Sequence, residues 1–135
     1  MIALCSLKAC RMNNQQARQA AYRRGRQGER LASGLLRLKG YRILARDYRV
    51  SVGEIDLIAE RGGLIAFVEV KARANLRLCL EAITVRQRHR IENAAAAFLA
   101  ANPRLQPDKM RFDLIAVVPK RLPKHIMSAW QTDSP

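Results

Sequence analysis

GEIDLIAERGGLIAFVEVKAR, residues 53–73, consists of two β-rich runs joined by a Gly-Gly pair. A Gly-Gly pair between such runs is the signature of a two-residue hairpin loop, because both central residues of the favoured turn need a positive φ. Counting outward from Gly62 and Gly63 sets Asp56 opposite Glu69 and Glu54 opposite Lys71. Side chains alternate along a strand, so Glu54, Asp56, Glu69 and Lys71 are expected on one face. Ile55, Leu57, Val68 and Val70 are expected on the other, as apolar core. Two carboxylates set directly opposite repel at a Cβ separation of about 5 Å, so something must compensate for their pairing.

A hard divalent cation is an economical compensation, since Mg²⁺ prefers one or two carboxylates together with waters and phosphate oxygens. Asp56 and Glu69 are then the candidate metal ligands, and Lys71 stands beside them to orient or deprotonate a water or to steady charge on a phosphate. Glu29 is a third candidate ligand, because it precedes Ala32 and Leu36 by three and seven residues and so falls on a helix flank facing the sheet. A purely structural account also stands at this point. Glu54 and Lys71 would form a cross-strand ion pair, Asp56 would cap a turn, and Glu69 would pair with an Arg.

Outward from the hairpin, the run 26–39 carries Leu31, Leu35 and Leu38 at helical spacing, flanked by Ala32 and Leu36, and Gly40 ends it. YRILARDYRV (41–50) has the pattern of a basic, half-exposed strand. Residues 80–101 form a long helical pattern stopped by Asn102-Pro103, and RFDLIAVV (111–118) is a further strand. One more short strand is possible around His125 to Trp130. The order is α-β-β-β-α-β, an α/β class. Residues 1–24 are expected as a flexible or helical extension, and 25–135 as a single domain.

The chain has 135 residues, with 25 Lys and Arg against 11 Asp and Glu, a net charge of +14. Residues 1–50 alone hold 12 basic and 2 acidic side chains. Clustered positive charge favours a polyanionic partner, nucleic acid before an anionic membrane surface, because neutralising phosphates releases counterions. A basic surface serving only solubility is the plain alternative. At 5% aromatic residues a stacking platform for single strands is poorly supplied, which favours duplex or branched DNA held by its phosphates. No run approaches the roughly 20 apolar residues of a membrane span. Cys5, Cys10 and Cys79 form no CxxC pair and fit reduced thiols in a cytoplasmic protein. His89 and His125 are far apart and expected at the surface. Cys79 and Trp130 are expected to pack as apolar groups, and Arg86, Arg88 and Arg90 to form a solvated helix face.

Four blocks, QGERLA (27–32), GEIDLIA (53–59), FVEVKAR (67–73) and RFDLIAVV (111–118), occur in an order that resembles the YraN family of bacterial proteins over roughly residues 25–130. The resemblance implies a restriction-endonuclease-like PD-(D/E)xK fold, with a mixed central sheet flanked by helices, related to archaeal Holliday-junction resolvases. It implies a Mg²⁺- or Mn²⁺-dependent endonuclease acting on structured or branched DNA, with a non-catalytic nucleic-acid-binding protein of the same fold as the alternative. Under it, Asp56, Glu69 and Lys71 match the catalytic motif, and Asp56, Glu69 and Glu29 the metal site. Glu54 is a secondary candidate, since the mechanism gives the Gly53-Glu54 pair no settled role. Gln87 stands where the family often has Lys, and its neighbours Arg86 and Arg88, with Arg73, are candidates for touching phosphate. Arg111 and Asp113 are expected as a structural ion pair. Symmetric cutting by resolvases suggests, by analogy, a homodimer.

Overall fold

The computed structural model describes the backbone of residues 2–132; the side chains of 2–14, 20–22 and 24, Cys5 and Cys10 among them, lie outside the described residues. The elements run α1 (Ile2–Leu38), β1 (Arg42–Val50), β2 (Gly53–Arg61), β3 (Leu64–Ala72), α2 (Leu76–Glu81), α3 (Val85–Ala101), β4 (Lys109–Val117) and β5 (Lys124–Trp130). The five strands form one sheet in chain order. All neighbours are antiparallel except β3 and β4, which are parallel. A parallel pair needs a crossover, and α2 and α3 supply it. No helix among the described residues is long and apolar enough to cross a membrane.

The hairpin forms in the expected register. Arg61 pairs with Leu64, and the ladder runs back to Leu57 opposite Val68. Gly62 and Gly63 have φ of 56° and 79°, the positive values a tight turn between twisted strands requires. Past Leu57 and Val68 the two strands cease to pair, although β1 continues to pair with β2 as far as Gly53. Asp56 lies at that divergence.

Both faces of the sheet are buried, and of the four residues expected to share one apolar face, Ile55 lies on the face opposite to Leu57, Val68 and Val70. Ile55, Ile58 and Phe67 pack with Ile91, Ala94, Ala95 and Phe98 of α3. Leu57, Ala59, Val68 and Ile115, with Val70 at the margin, pack with Ala32 and Leu36 of α1. Ile55 and Leu57 are two residues apart yet join different clusters, so strict alternation fails between them, at Asp56.

The helices also differ from their sequence patterns. On α1 the buried row is Gly28, Ala32 and Leu36, at four-residue steps. Gly28 rests where a Cβ would meet Val70, Ala72 and Val117 at 3.6–3.7 Å. Leu31 and Leu38, rotated from that row by roughly 100° and 200°, are 52% and 87% exposed. The expected helix over 80–101 is two helices. Asn75 Oδ1 accepts from the Leu78 N–H to start α2, and Thr84 Oγ1 accepts from the Gln87 N–H to start α3. A Thr-x-x-Gln sequence is a helix-start signature, and it outweighs the apolar periodicity that runs through Ile83.

Candidate active site at the diverging end of the hairpin

Glu69, 5% exposed, follows Phe67 on the face covered by α3. Its Oε1 lies 3.3 Å from Lys71 Nζ and accepts a 2.8 Å hydrogen bond from Gln87 Nε2. Asp56 Oδ2 accepts the Val70 N–H at 2.8 Å, so this side chain takes the place of the ladder bond that the diverging strands no longer make. Each carboxylate thus has one oxygen anchored by the protein. The two carboxyl groups also lie within hydrogen-bonding reach of each other.

That arrangement has an electrostatic cost. Burial pushes the Glu69 carboxyl up to about 8, the charge of Asp56 adds to this, and Lys71 only partly opposes it. Burial also raises Asp56, against the Val70 N–H and Lys71. Two carboxylates in contact cannot both ionise cheaply, so with no cation between them they adjoin only if a proton is kept there. Glu29, half-buried on α1, is raised by burial and then by the charge of Asp56. Asp56, Glu69 and Lys71 are therefore brought together, with Glu29 within electrostatic range. Among the described residues no three His, Cys, Asp or Glu converge as a ready-made metal cage. A half-buried and a buried carboxylate with hard oxygens, Asp56 and Glu69, still fit a cation such as Mg²⁺, which keeps several waters and needs only one or two protein carboxylates.

Glu54 is not part of this group. It does not face Lys71; Arg90 of α3 holds it through two hydrogen bonds, of 3.3 and 2.8 Å, and those bonds lower its carboxyl against the effect of burial. Gly53 explains its own place in the motif. A Cβ there would lie 1.8 Å from the Arg90 carbonyl oxygen, so only glycine lets α3 come this close to β2. The pair Gly53-Glu54 docks α3, and α3 in turn delivers Gln87 to Glu69.

The candidate phosphate contacts divide. Arg73 is exposed, donates to the Ala72 carbonyl, and lines a cleft of about 440 Å³ with Ala72, Lys120 and Arg121. An adjoining cleft of about 810 Å³ adds Arg77 and Lys124. Neither is lined by Asp56, Glu69 or Lys71, but the smaller one begins at the residue after Lys71. Arg86 is exposed. Arg88 is half-buried with its guanidinium 5.9 Å from the Trp130 ring centroid, and Arg90 is ion-paired, so the three do not form one solvated face.

A second acidic site lies on the α1 face. Asp113, fully buried, accepts from Arg111 Nε and Nη2 at 2.7 Å each, from the Ser128 N–H at 3.1 Å, and from His125 Nε2 at 2.7 Å. Ser128, at φ 51°, sits in an irregularity of β5 that turns its N–H toward the carboxylate. Burial pushes Asp113 up, but His125, Arg111 and Ser128 together hold it below the usual carboxylate value. Arg111 also donates to the Tyr41 hydroxyl at 2.7 Å, so the Arg111–Asp113 ion pair is present. His125 is not at the surface as expected: its side chain is 1% exposed. Lys39 Nζ, which can only donate, lies 2.9 Å from His125 Nδ1, which leaves Nε2 as the nitrogen that donates to Asp113. Cys79 is buried and its thiol reaches the Lys71 carbonyl at 3.4 Å. Trp130 packs on Phe112, with ring centroids 5.5 Å apart.

In the sequence Gln87 stands out only as a departure from the family pattern, and Arg90 only as part of a helix face, not as the partner of Glu54. The Thr84-x-x-Gln87 signature could have placed Gln87 at the start of α3. Nothing local pointed to Arg90, which lies 36 residues from Glu54.

Comparison with known proteins agrees with the sequence blocks. The pattern of a family described as "Uncharacterised protein family UPF0102" matches residues 28–117. A UPF0102 protein of Paramagnetospirillum magneticum is 54% identical over 121 residues, covering 87% of this chain and 94% of its own. One from Mesorhizobium japonicum is 53% identical over 114 residues, covering 84% and 91%. One from Parvibaculum lavamentivorans is 45% identical over 124 residues, covering 92% and 93%.

Proposed function

The chain belongs to the UPF0102, or YraN-like, family, and from that premise and the geometry of the hairpin end we propose that it is a metal-dependent endonuclease of restriction-endonuclease-like fold, hydrolysing phosphodiester bonds in structured or branched DNA. The observation that carries this reading is the pair formed by half-buried Asp56 and buried Glu69. Two acids forced into contact and raised by burial, with Lys71 3.3 Å away, make an expensive arrangement that a divalent cation would relieve.

Asp56 and Glu69, with Glu29 on the α1 side, would hold Mg²⁺ or Mn²⁺. When bound, the cation supplies charge neutralisation at the scissile phosphate and a more acidic water. Val70 N–H and Gln87 keep one oxygen of each carboxylate fixed, so the pair is presented with little freedom to rotate. Lys71 orients the attacking water and places a positive charge beside the developing phosphorane oxygens. The basic clefts carrying Arg73, Arg77, Lys120, Arg121 and Lys124 would neutralise phosphates leading away from the site.

Cleavage of labelled four-way junction, flap, duplex and single-stranded DNA with Mg²⁺ or Mn²⁺ tests the reading. It requires cutting that Asp56→Ala and Glu69→Ala each abolish while DNA binding persists. The second reading is a binding protein without turnover, favoured by one observation: Gln87 and Lys71 already occupy Glu69 Oε1. Salt-sensitive binding with no cutting of any substrate would establish it instead.

A further inference from the structure

A cleft of about 360 Å³ opens between the first turns of α3 and the end of β5, lined by Val85, Arg88, His89, Glu92, Trp130 and Gln131. Two of the buried donors in the described part of the molecule that lack any acceptor, Arg88 Nε and Trp130 Nε1, belong to residues of this one cleft. Trp130 is 7% exposed; its indole stacks on Phe112, and the Arg88 guanidinium lies 5.9 Å from its ring centroid. Buried N–H groups without partners are rare and unfavourable, and two in one cleft point to a missing acceptor.

The surrounding chemistry specifies which acceptor. Arg88 and His89 bring donors, and the cleft includes Val85, whose N–H opens the 17-residue helix α3. The first N–H groups of a helix have no intrahelical acceptor and carry its positive end. Thr84 takes the Gln87 N–H and leaves those of Val85 and Arg86. Glu92 is the contrary group, and it makes no ion pair with Arg88, four residues before it. Arg88 directly follows Gln87, which is bonded to Glu69, so the cleft and the acidic pair share one helical turn.

We infer that the Arg88–Trp130 cleft is a second phosphate-binding site, which takes a phosphate of the nucleic-acid strand away from the one at Asp56 and Glu69. The strand assignment rests on the nucleic-acid reading above. Both free nitrogens are sealed from solvent, so taking a phosphate requires the half-buried Arg88 side chain, 5.9 Å from the Trp130 ring centroid, to rotate toward the cleft. Arg88 is a binding residue here, with a purpose distinct from that of its paired neighbour Arg90.

Trp130 is the single tryptophan of the chain, so its emission reports on the cleft directly. The full chain is titrated in EDTA with a DNA oligonucleotide and, separately, with inorganic phosphate. The expected result is a saturable emission change with DNA, reproduced by phosphate at far higher concentration. Arg88→Gln should weaken DNA binding at least tenfold, against less than threefold for Arg104→Gln, a charge-matched control on the exposed segment after α3. Glu92→Gln should tighten it. Trp130→Phe, followed by anisotropy of labelled DNA, should weaken it while keeping an aromatic ring on Phe112. Phosphate that changes the emission while DNA leaves it unchanged would overturn the strand assignment. Silence to both ligands, or equal weakening by Arg88→Gln and Arg104→Gln, would overturn the site. Because no divalent cation is present, these outcomes are independent of whether the protein cuts DNA.

Discussion

Asp113 and Glu69 are both buried acids on adjacent strands of one sheet, and Asp113 is paired by backbone register with Val68, the residue before Glu69. One faces α1 and the other α3. Asp113 is met by four donors, two of them from an arginine, and its carboxyl is held low. Glu69 is met by an amide, one lysine and a second carboxyl, and its carboxyl is driven up. Burial is shared, so partners decide the outcome. The Asp113 charge is saturated by donors from within the fold, whereas Glu69 is left short of positive charge.

Breaking the saturated side should have the largest effect. Asp113→Asn leaves Arg111 buried beside an amide and removes an acceptor from His125 and Ser128. A loss of about 3–5 kcal/mol is expected, read by denaturant unfolding at neutral pH. Its pH dependence has a definite sign. The folded-state pKa of Asp113 lies below its ordinary value of 3.8, so its stabilisation is complete above 3.8 and is lost as pH falls through the lower folded value. The gap between native protein and Asp113→Asn should close in that acid range, and a gap unchanged there would mean the carboxylate charge is not what stabilises.

Divalent cation should act on the other site alone. At a hundredfold excess over its Kd, Mn²⁺ should stabilise the native protein by about 2.7 kcal/mol, seen as a rise in Tm that Asp56→Asn and Glu69→Gln each remove. An equal rise in those variants would place any binding elsewhere. In EDTA at neutral pH, Glu69→Gln should behave oppositely to Asp113→Asn and hold or gain stability, on the order of 1 kcal/mol, because the amide sits beside Asp56 without the proton that a carboxyl driven up to about 8 must take up on folding. A substantial loss there would erase the contrast between the sites. The smallest effect belongs to Glu54→Gln. Its ion pair with Arg90 is 40–47% exposed, so unfolding should shift by no more than about 1 kcal/mol, with a larger shift indicating a tighter hold on α3 than the exposure implies.

The contrast also explains what could be read from the sequence. Asp56, Glu69 and Lys71 lie within one hairpin whose turn is written in two glycines, so local rules suffice to bring them together. The strands and their order along the chain followed from similar local patterns, and the mixed sheet from the family resemblance. Gln87, Arg90 and Trp130 reach their places through the β3-to-β4 crossover and the irregular β5, which no periodicity encodes. His125 looked like a surface residue because its partners, Lys39 and Asp113, belong to different elements. On α1 the Ala32 and Leu36 flank meets the sheet as expected, but Leu31 and Leu38 do not: small residues, Gly28 and Ala32, set the contact, and leucine periodicity does not reveal close approach.

The spans of the two networks differ as much as their charges. Asp56 bonds Val70, 14 residues on, while Arg111 reaches Tyr41 across 70 residues and Lys39 reaches His125 across 86. During synthesis from the N-terminus, the hairpin bearing Asp56 and Glu69 can close soon after Ala72 emerges, but the Asp113 network cannot close until β5 has been made. Asp56 and Glu69 would then be paired on the nascent chain well before the Asp113 network that ties the sheet together around them.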